Sequence, residues 1–119
     1  MLYSIDKGEY VKQLPHKSDY LRWRSNLSDE DYEKILIELQ QRIDGDEVHT
    51  AGWIPGHDWT GTVFEPLYHA CRRDIEQAAK FFGLILFKLM MERDDDWSFG
   101  RYQKDGVDIR SLTYFRIHR

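Results

Sequence analysis

Asp74-Ile75-Glu76-Gln77-Ala78-Ala79-Lys80-Phe81-Phe82-Gly83-Leu84-Ile85-Leu86-Phe87-Lys88-Leu89-Met90-Met91-Glu92-Arg93 is the stretch that decides the fold of this chain. At 100° per residue, Ile75, Ala78, Ala79, Phe82, Ile85, Leu86, Leu89 and Met90 fall on one continuous apolar face, the signature of a long amphipathic helix. Asp74 with Gln77 three residues later supplies a start signal, and the run is expected to end near Arg93. The opposite side is also apolar, with Leu84 and Met91 there and Phe87 beside them. A helix apolar on nearly all sides is buried either inside its own fold or by a partner. Full enclosure is hard in a chain of 119 residues, so the far side (Leu84, Phe87, Met91) is a candidate homodimer contact.

Other elements are read outward from this helix. Ser28 is an N-cap, and Asp31 completes an acidic variant of the capping box. Tyr32, Ile35, Leu36, Leu39 and Ile43 then recur at helical spacing until Asp44-Gly45 ends the run. Leu21 and Trp23 alternate with Arg22 and Arg24, which reads as a short strand, with a helical turn as the alternative. Glu47 to Ala51 is a candidate strand. Pro66 suits the first turn of a short helix carrying Leu67 and Ala70.

Toward the C-terminus, Trp97 to Gln103 and Val107 to Ile117 flank Asp105-Gly106 as a β-hairpin. A two-residue turn there would pair Trp97 with Tyr114, Phe99 with Leu112 and Arg101 with Arg110. Two arginines directly opposite are unfavourable. A longer loop or another register is therefore favoured over an anion held between them. The expected fold is α+β, a single domain over residues 1–119. Two main helices and a short one pack on a mostly antiparallel sheet that includes the C-terminal hairpin.

Composition narrows the function classes. A formal charge of -4 argues against general nucleic-acid binding, which needs a basic footprint. The single cysteine, Cys71, excludes an internal disulfide and a Cys-rich zinc site. The N-terminus lacks a signal-peptide layout, and the longest apolar run is about half the ~20 residues a membrane span requires. A cytoplasmic, non-membrane protein is expected, with no cofactor implied.

Polar chemistry concentrates in His49-Thr50-Ala51-Gly52-Trp53-Ile54-Pro55-Gly56-His57-Asp58-Trp59-Thr60-Gly61-Thr62. His49, His57, Asp58 and His69 are metal-type donors, but their spacing fits no established motif, and no metal is assigned. Acid–base chemistry would use His57 or His49 as base with Asp58 or Glu65 as partner. Cys71 precedes Arg72 and Arg73, which could activate it as a nucleophile. The competing reading is a small core residue. The glycines follow neither the dinucleotide nor the P-loop pattern, although Thr60-Gly61-Thr62 before a helix could hold an anion on backbone N–H groups. Glu92, Asp94, Asp95 and Asp96 read as a solvated turn or as an acidic rim for a basic partner.

The segment from Gly52 to Tyr68, with Trp97-x-Phe99-Gly100-Arg101-Tyr102, resembles small bacterial proteins of the mobile (integron) gene-cassette type. That resemblance implies a compact accessory domain and no particular activity. The leading expectation is a binding module for a small-molecule ligand. Its pocket would be walled by Trp53, Trp59 and Tyr68 and anchored by His57, Asp58, Thr60 and Arg101. The alternative for the same loop is a plug that closes the core. Two further classes are a small hydrolase- or isomerase-like enzyme and a protein-interaction factor.

Overall fold

The computed structural model describes residues 1–5, 7–45, 48–50, 59–100 and 112–117, with backbone alone at 48–50 and 100. Its elements are β1 (Leu2–Ser4), β2 (Glu9–Tyr10), α1 (Lys17–Arg24), α2 (Asp29–Gly45), β3 (Val48–Thr50), α3 (Pro66–Ala70), α4 (Ile75–Glu92), β4 (Trp97–Gly100) and β5 (Thr113–Arg116). The strands form a mixed sheet in the order β2-β1-β4-β5-β3. Only the β1–β4 pair is parallel among the described strands; the others run antiparallel. The class is α+β, as the sequence implies.

Both helix starts carry the expected caps. The Ser28 hydroxyl accepts from the Asp31 backbone N–H at 3.1 Å, and the Asp74 carboxylate accepts from the Gln77 N–H at the same distance. Each cap satisfies a donor that the first helical turn leaves orphaned. Helix α1, by contrast, replaces the strand read from Leu21 and Trp23. Tyr20, Trp23 and Leu27 are buried while Leu21 is exposed. The i, i+3 spacing of Tyr20 and Trp23 within α1 is helical, and the apparent alternation was set by an exposed leucine.

Helix α4 occupies the centre. On one side Phe81 meets the rings of Tyr20 and Trp23, and Phe82 meets Trp59 and Phe64. On the other, Phe87 packs on Phe99 and Tyr114 of the sheet. The sheet therefore covers the face proposed for a homodimer: Leu84 is 1% exposed and Phe87 4%. Met91 is half-buried against the same core. The expectation of self-association through a free apolar face at Leu84, Phe87 and Met91 is corrected for Leu84 and Phe87, because both are buried within the chain, Phe87 against Phe99 and Tyr114. No helix among the described residues is long and apolar enough to cross a membrane.

Strand β4 pairs with β5 as Trp97↔Arg116, Ser98↔Phe115, Phe99↔Tyr114 and Gly100↔Thr113. This frame is offset by two residues from the one a two-residue Asp105-Gly106 turn would impose. Side-chain parity is preserved, so the aromatic residues still share a face. Arg116 lies over the Trp97 ring at 5.0 Å instead of leaving Tyr114 there. Arg101, Arg110 and the intervening loop lie outside the described residues.

The acidic segment after α4 is partly tied down. Arg93 donates to both carboxylate oxygens of Asp95 at 2.8 Å, to Asp44 at 2.6 Å and to Gln40. Asp95 also meets Arg116 at 3.2 Å. The Arg93 bonds hold the Asp95 carboxyl at about 2, well below the usual carboxylate range. Instead of forming a wholly solvated turn, this segment links the ends of α2 and α4 to β5.

Candidate functional site

Trp59 is the first residue of the candidate loop whose side chain is described, and that side chain is committed to the core. It is 6% exposed and stacks on Tyr68 with ring centroids 5.1 Å apart and planes 14° off parallel. Its backbone N–H donates to the Tyr68 hydroxyl at 3.1 Å. Phe64 and Phe82 pack against the same indole at 6.2 and 5.7 Å. At stacking distance two rings hold each other and leave no slot between them for a third. Trp59 is thus packed on Tyr68 and into the core, while Trp53, the third wall of the expected pocket, lies outside the described residues.

The turn after Trp59 explains the threonines. Thr62 Oγ1 donates to the Trp59 carbonyl at 2.6 Å and accepts from the Phe64 N–H at 3.2 Å, while its own N–H reaches the same carbonyl. Gly61 takes a φ of 78°, which glycine adopts without steric cost. Thr60 is exposed, and Glu65 sits at the N-cap of α3 without a side-chain capping bond. His49 lies opposite Tyr114 in the β3–β5 register, placed by its backbone alone. Trp53, His57, Asp58 and Arg101 lie outside the described residues. His69 is exposed on α3. Among the described residues, no three His, Cys, Asp or Glu side chains gather as a metal site would need.

A second site emerges where α1 crosses the α3–α4 turn. A cleft of about 460 Å³ opens there, lined by Arg22 and Trp23 of α1, Asn26 just beyond it, Ala70, Cys71 and Arg72 at the end of α3, and Asp74 and Gln77 at the start of α4. Small-ligand pockets are typically about 300–1,000 Å³.

Local hydrogen bonding builds this cleft. Helix α3 ends at Cys71, after which the Arg72 N–H bonds the His69 carbonyl at 3.1 Å and the Arg73 N–H bonds that of Tyr68. This pair of bonds is a Schellman ending, whose first residue past the cap is usually glycine because it must turn left-handed. Arginine stands there instead, with φ 54° at Arg72 and 64° at Arg73. A left-handed conformation costs a residue with a Cβ roughly 1–2 kcal/mol. Asn26 donates to the Ala70 carbonyl at 3.1 Å, and the Trp23 indole donates to Gln77 Oε1 at 3.2 Å, fixing α1 against both helix ends.

Those bonds leave complementary groups on the walls. Gln77 accepts through its oxygen, so its amide hydrogens remain to donate, and Asn26 keeps its oxygen as an acceptor. Arg22 lies over the Trp23 ring at 5.3 Å and pairs with Asp19 at 3.2 Å, both side chains being well exposed. Such surface pairs are weak, about 0–1 kcal/mol. Arg72 and Arg73 have no acidic partner among the described residues.

Cys71 forms part of the floor. It is 3% exposed, and burial pushes its thiol up to about 12, with Asp74 adding to the effect and Arg22 opposing it. Nucleophilic activation by the neighbouring Arg72 and Arg73 is corrected: burial dominates, Arg22 is the arginine that opposes it, and a thiol in that state supplies almost no thiolate at neutral pH.

Arg22, Trp23, Asn26 and Gln77 were not singled out as a group by sequence. Reading α1 as a strand separated the first three from the start of α4, and only the Arg72-Arg73 pair beside Cys71 pointed toward this region. Comparison with protein-family models, curated proteins and solved structures gives no match.

Proposed function

We propose that this chain is a small, non-catalytic, cytoplasmic binding module whose ligand occupies the cleft between α1 and the α3–α4 turn. The supporting observation is the cleft itself: about 460 Å³, walled by an indole edge and Ala70, with uncommitted donors and acceptors on three converging elements. That division between apolar wall and a few fixed polar groups is what small-molecule recognition requires. Rigid helix ends rather than the residue 49–62 loop hold the groups in place, which lowers the ordering cost of binding. The buried, protonated thiol of Cys71 favours binding over nucleophilic catalysis at this position. A bacterial accessory role, suggested by the gene-cassette resemblance, is compatible with such a module.

Crystallographic fragment screening of the full chain tests this reading. Fragments are expected in the cleft, between Trp23 and Arg72. Hits confined to the surroundings of Trp59 and Tyr68, or no ordered hits at all, would overturn it.

A further inference from the structure

We infer that the cleft receives the anionic end, a carboxylate or a phosphoryl group, of a small ligand, held between the guanidinium groups of Arg22 and Arg72. This rests on the cleft being a binding site and goes beyond it by naming the chemistry it selects.

Charge is unevenly committed around the cleft. Two arginines face it against one acid, Asp74, and that acid already accepts from the N–H of Gln77 at 3.1 Å. Its charge is offset by the positive end of α4, an 18-residue helix. Arg72 has no carboxylate partner among the described residues, and the Asp19 pair of Arg22 is exposed enough to yield to a better one. Guanidinium groups present planar forks of donors that match carboxylate and phosphate oxygens, so two arginines lining one cleft favour an anion over a neutral polar group. Gln77, in the first turn of α4, lines the same cleft and can add an amide N–H donor.

The turn carrying Arg72 sharpens the inference. A Schellman ending is normally relieved by glycine, and here the chain keeps a long cation at the strained position. An exposed arginine without an ion pair among the described residues adds no evident compensation to the fold. A cationic side chain on a residue that lines the cleft is the feature that glycine could not supply. Ala70 and the Trp23 indole line the same cleft and offer apolar surface to a compact group attached to the anion.

Solution NMR of the full ¹⁵N-labelled chain provides the test, with the Trp23 indole N–H and the Asn26 and Gln77 side-chain amides as reporters. Three probes of similar shape are titrated: benzoate, phenyl phosphate and the uncharged benzamide. Saturable shifts of these reporters with benzoate or phenyl phosphate, and about tenfold or greater weakening in Arg22→Ala and in Arg72→Ala, are expected. Preference between the two anions identifies carboxylate or phosphoryl as the natural group. Arg72→Gly, which relaxes the turn, should weaken binding to the same extent and so separates lost charge from damaged folding. If benzamide binds as well as benzoate and the arginine variants change nothing, the cleft is a binding site and the anionic assignment is wrong. If none of the three moves the reporters at tens of millimolar, both the assignment and the binding site are overturned.

Discussion

Replacing Arg72 by glycine should make the fold more stable while weakening the cleft. The residue sits at φ 54°, where a side chain with a Cβ is disfavoured by roughly 1–2 kcal/mol. Glycine removes that strain but gains freedom in the unfolded chain, which offsets about 0.4–1 kcal/mol. No ion pair of Arg72 is lost among the described residues, and the N–H bond to His69 is retained because it belongs to the backbone. The balance is a net gain of about 0.5–1 kcal/mol, or roughly 2–5 °C in Tm for a domain of this size. Urea denaturation followed by circular dichroism, with calorimetry for Tm, measures it. Arg72→Ala is the control: it keeps the strained backbone and should leave stability within about 0.5 kcal/mol of the original. If Arg72→Gly instead loses 1 kcal/mol or more, the guanidinium is holding the turn together and is not free to meet a ligand.

Trp59→Ala should cost about 3–5 kcal/mol in the same denaturation experiment, since a buried indole stacked on Tyr68 and packed on Phe64 and Phe82 is removed; a loss below 1 kcal/mol would return Trp59 to the role of a ligand-facing wall. Leu84→Glu should unfold the chain, not split a dimer, because the carboxylate would enter the core. A folded monomeric variant derived from a dimeric parent, seen by sedimentation, would reverse that conclusion. The Asp95 carboxyl is depressed from 3.8 to about 2 by its Arg93 bonds, so its contribution is complete above pH 4 and disappears as pH falls through 2. After allowance for solvent screening it amounts to ~1–2 kcal/mol, and Asp95→Asn should flatten the stability profile across that window. Finally, the Tyr114 hydroxyl is fully buried with no hydrogen-bond partner among the described residues. Tyr114→Phe should thus be neutral or stabilising by up to ~1 kcal/mol, and a loss larger than that would reveal a partnered hydroxyl.

Local signals in the sequence carried most of the fold. Ser28 and Asp74 cap where their spacing to Asp31 and Gln77 says they should, and the apolar periodicity of Tyr32 to Ile43 and of Ile75 to Met90 maps onto α2 and α4. What escaped was tertiary. Periodicity shows that Leu84 and Phe87 need cover, but not whether Phe99 and Tyr114 or a second chain provides it. The strand pair β1–β4, Leu2 opposite Trp97, joins residues 95 positions apart and leaves no mark on either segment alone. At Asp105-Gly106 the opposed Arg101 and Arg110 already spoke against a two-residue turn, and the β4–β5 register is offset by two residues from the frame such a turn would impose. For the candidate site, residue types in the 49–62 loop drew attention by density, whereas Trp59 is engaged by ring stacking that sequence spacing cannot display. The cleft was hidden for the opposite reason: Arg22, Asn26, Arg72 and Gln77 are ordinary surface residues until α1 is placed against the α3–α4 turn.

The indole N–H resonances offer the most direct test of where this protein binds. In a single ¹⁵N spectrum Trp23 reports the cleft and Trp59 reports the stacked plug. During titration with phenyl phosphate or benzoate, the Trp23 resonance is expected to move and saturate while that of Trp59 stays fixed. Movement of Trp59 with Trp23 unchanged would place binding at the 49–62 loop and contradict the assignment to the cleft.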